Sequence, residues 1–385
     1  MNTTVDISFH RLSVFGRIFV FFLYLTVNIL FVVKYSLRVM PVEWIFAVVL
    51  AYIIGISSLF YFINKLKKIH SIVLFLTISV SIVLLLFAQY NINPYSLQVD
   101  RWSAIHNFLE SLLHGEYPYS ARTHLGGYSS PFPVWQSFHL PFYFLGNVGL
   151  SVFFIFGLFV YSIRQLTDNK RALMAGCVMF LSPAFVYEVL VRSDLMANMM
   201  LTLVVINYLF STHKSLNSAF FLIAFVCGLL LSTRLSAVIP IFIWLFGDYM
   251  QLSLKKKVLF LLMVFAVFFF TFLPFMLWNI HDLFFFKYNP FILQTRQRNL
   301  VDLIFFIVFA IYWARTWGLS YVLLMCNIAY CLLFIVFVTF LHNMWLRDNF
   351  NALFTGVYDI TYFGMSLPFL IAAACCGEEE SKYSV

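Results

Sequence analysis

Long uncharged apolar runs alternate with short polar connections from one end of the chain to the other. Taken in order, the runs cover residues 14–33, 44–63, 71–90, 139–161, 172–191 and 195–211, then 216–232, 236–250, 258–278, 303–314, 319–341 and 356–376. A helix needs about 20 predominantly apolar residues to cross the hydrocarbon layer, so the pattern predicts an all-α polytopic membrane protein of about twelve transmembrane helices. Residues 1–385 read as a single integral membrane domain. The first run follows His10 and Arg11 with no small-residue cleavage pattern behind it, so it reads as a retained span.

Composition sharpens this picture. The chain of 385 residues is 63% apolar and only 10% charged, whereas a soluble domain is about 45–50% apolar and about 25% charged. Too few polar side chains remain to cover a water-facing surface. The net charge of +8 does not imply nucleic acid, because no long basic block is present. The cations instead gather at Lys65/Lys67/Lys68, Arg164/Lys170/Arg171, Lys214 and Lys255/Lys256/Lys257. With twelve spans these all fall on one side, which the positive-inside rule assigns to the cytoplasm together with both termini. All six cysteines lie within apolar runs, which argues against a disulfide framework. The outer connections contain no Asn-x-Ser/Thr, and the expected location is a bacterial inner membrane.

This orientation puts the two longest connections, 91–138 and 279–300, on the outer side, where chemistry is expected. In the first, Val99, Trp102, Ile105, Leu109 and Leu112 recur at helical spacing, opposite Asp100, Ser103, Asn107, Glu110 and His114. That stripe predicts an amphipathic interfacial helix of about 15 residues, stopped at His114-Gly115 with Pro118 beyond. A stretch rich in aromatics, prolines and polar groups follows, including Tyr117, Tyr119, Arg122, His124 and Trp135, and suits a sugar that stacks on rings and needs fixed hydrogen-bond partners.

The elements Asp100-Arg101, Gly115-Glu116-Tyr117-Pro118-Tyr119 and Pro131-Phe132-Pro133 before Pro141 resemble the multi-spanning glycosyltransferases of the GT-C fold, bacterial mannosyl- and arabinosyltransferases among them. Weaker likenesses are Arg192-Ser193-Asp194, Ser232-Thr233-Arg234, Asn289-Pro290-Phe291 and Gln294-Thr295-Arg296. The resemblance covers residues 71–300, with residues 1–70 as two extra N-terminal helices. In this chain the key loop follows the third span, and a single Asp followed by Arg replaces the Asp-x-Asp of metal-using members. The resemblance implies transfer of a hexose or pentose from a polyprenyl-phosphate-linked donor to a glycan or lipid acceptor on the extracytoplasmic face. The lipid-linked sugar is a substrate, so no cofactor is implied; a divalent metal stays open.

Such a reaction needs a base for the attacking hydroxyl and positive charge for the departing phosphate. Asp100 is the candidate base, with inversion expected for direct attack. The guanidinium groups of Arg192, Arg234, Arg296 and Arg298 are candidate phosphate ligands, and Arg234 is the most notable because almost no loop surrounds it. Arg101, Tyr117, Tyr119, His124 and Asp194 complete the candidate substrate-binding set. Asp194 could position sugar, pair with Arg192, or stand at a helix N-terminus beside Ser193. Glu188, Asp302, Asp348 and Asp359 read as pairing or cavity-lining groups. His106, His114, His124 and His139 match no closed zinc spacing. Two other classes stay open: a polymerase or ligase of lipid-linked polysaccharide, and a transporter or flippase of lipid-linked saccharides.

Overall fold

The computed structural model describes residues 12–212, 214–295, 300–315, 320–347 and 359–376. Helices dominate these residues, and they contain no β-strand beyond the isolated bridge of Arg122 with Tyr128. Three long helices come first: α1 (Val14–Ser36), α2 (Val42–Lys65) and α3 (Ser71–Tyr90). The connection after α3 carries α4 (Arg101–Leu113) and leads through α5 (Pro133–Phe138) and α6 (Leu140–Phe144) to α7 (Leu150–Leu166), α8 (Asn169–Phe180) and α9 (Pro183–Leu190). Then follow α10 (Leu195–Ser211), α11 (Phe220–Leu231), α12 (Val238–Gln251), α13 (Leu254–Phe285), α14 (Pro290–Thr295), α15 (Leu300–Ala314), α16 (Tyr321–Arg347), α17 (Thr361–Gly364) and α18 (Leu367–Cys376).

Five of these helices, α1, α2, α3, α13 and α16, are long and apolar enough to cross a membrane, or six if the bent pair α8–α9 counts as one span. Their outward surfaces confirm the solvent they need. In α2 only Ile45, Ile56 and Ile63 are buried, while Phe46 is 75% and Phe62 64% exposed. A helix apolar on every side and packed along one edge belongs in lipid.

Two of the expected spans are interrupted. Residues 139–161 do not form one helix: the short α5 and α6 end in a turn at Gly146 (φ +82°), and α7 starts only at Leu150. Pro141 cannot donate to a preceding turn, and Gly146 supplies the left-handed conformation that ends α6. Residues 172–191 break between Phe180 and Pro183 with a bend of 65°. There Ser182 Oγ accepts from the Phe185 amide and Pro183 opens the new helix. The last expected span, 356–376, appears among the described residues as the short pair α17 and α18. In contrast, α3 and α10 begin and end where the apolar runs do.

The core sits around α10 and α18. The small residues Ala372, Ala373, Cys375 and Cys376 of α18 are almost completely buried, and their size admits α1, α8, α10 and α16 close to its axis. Glycines do the same elsewhere. A Cβ on Gly176 would come within 2.4 Å of Ile78 in α3, and one on Gly228 within 2.8 Å of the Val264 carbonyl oxygen in α13.

Connections join in two sets at opposite ends of the bundle. At one end Lys170 donates to the Asn64 carbonyl (2.7 Å), Asn169 to the Ile69 carbonyl (3.0 Å), and Arg171 to the carbonyl of Cys375 at the end of α18 (2.8 Å). At the other, Gln89 donates to Val189 (2.7 Å), the Phe132 amide to Thr233 (3.1 Å), and Gln294 to Ser130 (2.7 Å). The second set carries the candidate site.

Candidate functional site

Asp100 occupies the N-cap position of α4, yet its carboxylate caps no amide of that helix. Instead Thr123 Oγ1 donates to Asp100 Oδ2 at 2.7 Å, and the Gly127 amide donates to Thr123 Oγ1 at 2.9 Å. Oδ1 has no hydrogen-bond partner among the described residues, and the side chain is half-buried. The hairpin 122–128 makes this possible. It turns at Gly126 (φ +80°), closes through Thr123 N to the Gly127 carbonyl (2.9 Å), and lays Gly127 against the carboxylate so closely that a Cβ would meet Oδ2 at 2.8 Å. The helix itself is the expected one, shorter by two residues and stopped at His114 with Gly115 at φ +74°. Its buried side includes Phe108 and Ser103 besides Trp102, Ile105 and Leu109.

His124 pins this hairpin and keeps neither ring nitrogen for a ligand: Nδ1 lies 2.7 Å from Ser103 Oγ and Nε2 2.9 Å from the Leu97 carbonyl. Tyr119 is likewise turned inward. It is wholly buried, donates to the Pro131 carbonyl (3.3 Å), and packs edge-on against Phe108 and Phe275. Tyr117 is different. Its hydroxyl is buried without a hydrogen-bond partner, its ring stands edge-on to Trp278, and burial together with the nearby Asp282 raises its phenol above the ordinary range.

Arg101, next in sequence to Asp100, faces the opposite way. It donates to Ser193 Oγ (2.7 Å), Asp359 Oδ2 (2.5 Å) and Thr361 Oγ1 (2.8 Å), with Glu188 Oε1 at 3.7 Å. Burial opposes its charge, but Asp359 and Glu188 outweigh that and raise its pKa. The guanidinium thus fastens the start of α4 to the end of α9 and the start of α17.

Asp194 pairs with Arg234, not with the sequence neighbour Arg192. The Arg234 fork donates through Nε (3.0 Å) and Nη2 (2.7 Å to Oδ1), and the indole of Trp135 donates to Oδ2 at 2.5 Å. All three are buried, Arg234 being 7% and Asp194 2% exposed. Burial alone would raise the Asp194 carboxyl, but the Arg234 charge and hydrogen bonds hold it below the usual carboxylate range. The pair locks α5, α10 and the α11–α12 turn together, so most of the charge on Arg234 is already neutralised.

Arg192 is the cation with capacity to spare. It is the only non-glycine among the described residues with a positive φ (+52°), a conformation uncommon for a residue with a Cβ. Its Nη2 donates to the carbonyls of Gln89 (3.1 Å) and Ile92 (3.2 Å) at the end of α3, while Nη1 is buried without a partner among the described residues. Burial lowers its pKa, with no carboxylate opposing the shift. Arg296 and Arg298 lie outside the described residues, as do Asp348 and the side chain of Asp302.

The segment from Asn279 to Thr295 meets the connection that follows α3. α13 is interrupted at Asn279 (φ −159°, ψ 92°), whose Oδ1 accepts from the Asp282 amide (3.0 Å). Beyond this kink the chain brings Tyr288 to within 5.3 Å of the Tyr128 ring and Lys287 Nζ to 5.7 Å from its centre. Burial and the Asp282 carboxylate push the Tyr288 phenol up to about 12. Gln294 of α14 then bonds both Ser130 and the Leu235 amide (2.7 Å each). Thr123 and Gly127 are absent from the sequence-derived set, and Trp135 stood in the sequence reading only as one of the aromatics of the loop, with nothing local to mark it as a partner of Asp194. Among the described residues, no group of three or more His, Cys, Asp or Glu side chains is placed to hold a metal ion. No family model, curated protein or solved structure matches the chain.

Proposed function

We propose that the chain is a membrane glycosyltransferase of the bacterial inner membrane that transfers a sugar from a polyprenyl-phosphate donor to a glycan or lipid acceptor, with Asp100 as the base. The observation that carries this reading is the Asp100 carboxylate itself. It stands at a helix N-terminus without capping it, is aimed by Thr123, and keeps one oxygen without a hydrogen-bond partner among the described residues. In the reaction an acceptor hydroxyl attacks the anomeric carbon, its proton passes to Asp100, and the bond from that carbon to the phosphate oxygen breaks with the electron pair leaving on phosphate. Direct attack inverts the anomeric centre. A positioned base contributes about 10²- to 10⁴-fold in rate.

Arg192 is the proposed phosphate ligand. Ser193 beside it bonds Arg101, the neighbour of Asp100, so the free donor and the base belong to one connected network. An apolar cavity of about 430 Å³, lined by Leu23 and Val27 of α1, Trp313 of α15, Phe334 and Phe337 of α16 and Phe363 of α17, supports an isoprenoid tail. Its end at Phe363 adjoins Tyr362, whose ring faces Arg101 at 5.8 Å. We further propose twelve membrane segments, several short or broken, with both termini in the cytoplasm. The two sets of connections support this, because the set holding Lys170 and Arg171 gathers the cationic loops while the other gathers Asp100, Arg192 and Arg101.

The test uses the purified full chain in vesicles carrying a radiolabelled polyprenyl-phosphate sugar. Label should appear in the acceptor, joined through a linkage whose anomeric configuration is opposite to that of the donor. Movement of the intact lipid-linked sugar between leaflets without any transfer would instead establish a flippase.

A further inference from the structure

Two connections far apart in sequence build one aromatic and cationic patch beside Asp100. The hairpin 122–128 contributes Arg122 and Tyr128, and the segment beyond the α13 kink contributes Lys287 and Tyr288. The Tyr128 ring has Tyr288 at 5.3 Å, the Arg122 guanidinium carbon at 6.0 Å and Lys287 Nζ at 5.7 Å. Both cations are exposed, and neither has a carboxylate partner among the described residues. Asp282 acts on the phenols of Tyr117 and Tyr288.

We propose that this patch is the acceptor subsite and that the acceptor is an acidic saccharide, a sugar carrying a carboxylate. This rests on the glycosyltransferase reading above. The chemistry follows from the parts. An exposed cation–π contact is weak, so Arg122 and Lys287 exchange it readily for a charge-assisted hydrogen bond to an anion. Tyr128 and Tyr288 offer ring surface to the apolar face of a sugar. Register comes from the hairpin: Tyr128 directly follows Gly127, which lies against the Asp100 carboxylate. A saccharide held on the patch therefore presents a hydroxyl to the base. A neutral acceptor would leave both cations idle.

The experiment measures binding of trigalacturonate and of maltotriose to the full chain in phosphatidylcholine nanodiscs. Trigalacturonate is expected to bind at least tenfold more tightly than maltotriose, with an affinity that falls as salt rises. The double variant Arg122→Gln/Lys287→Gln should lose at least tenfold for trigalacturonate, and the charge-conserving Arg122→Lys/Lys287→Arg should retain it, at unchanged melting temperature. Equal binding of the two saccharides, no binding of trigalacturonate, or an unaffected double glutamine variant overturns the proposal. So does its displacement by phosphatidylglycerol added to the disc, which would make a lipid headgroup the occupant. Charge-dependent binding in a chain that transfers no sugar keeps the patch and removes the transferase. Transfer whose acceptor KM ignores Arg122 and Lys287 removes the patch and leaves the transferase.

Discussion

At the scale of single residues, the end of the bundle that holds Asp100 contains residues that hold the structure and residues that serve the proposed chemistry. Asp194 and Arg234 belong to the first kind, with every oxygen of the acid engaged. Removing one member strands a buried charge, so Arg234→Leu should destabilise the protein by about 3–5 kcal/mol, seen as a large drop in detergent melting temperature. Because the folded Asp194 pKa is depressed, its stabilisation is fully present above the unfolded carboxyl value of about 3.9. It fades only as pH falls below that value and through the folded one, so this pair should add no pH dependence to the melting temperature between pH 5 and 8. Gly127 belongs to the second kind. Gly127→Ala needs no forbidden backbone but sets a methyl 2.8 Å from Asp100 Oδ2, so kcat should fall at least tenfold while the melting temperature moves little. Unchanged turnover would detach the hairpin from the chemistry.

Among the elements, the sequence was most legible where one helix had one solvent. The runs at 71–90 and 195–211 matched α3 and α10 because nothing inside them competes with the helix. The end of the run at Trp278 marked the break at Asn279, although α13 continues beyond it. Periodicity failed at 139–161 and 172–191, where apolarity continues through proline and glycine positions that bend the backbone. Hydrophobicity reports lipid or core, not straightness. Packing between helices was equally hidden, since a glycine's neighbour lies elsewhere in the chain. Gly228 meets Val264 and Val267 of α13, so Gly228→Ala should cost about 1–3 kcal/mol by overpacking. Gly157→Ala in α7, whose Cβ would meet nothing within 4 Å, should cost nothing and serves as the matched control in the same melting series.

For the whole molecule, composition foretold a helical chain with long apolar helices able to cross a membrane, because composition is a sum over many residues. The partners of its polar side chains were not foretold. Trp135 with Asp194 is a pairing across 59 positions, and Arg101 with Asp359 across 258, so only the folded chain brings them together. Orientation is open to direct test: His114→Cys, exposed at the end of α4, should react with an impermeant maleimide on intact cells, and Lys68→Cys only after permeabilisation. The most direct measurement compares sugar transfer from a polyprenyl-phosphate donor by the purified wild-type chain and Asp100→Asn, an isosteric change that still accepts the Thr123 hydrogen bond. A loss of about 10²- to 10⁴-fold in kcat at equal melting temperature is expected; transfer at the wild-type rate would contradict the assignment of Asp100 as the base.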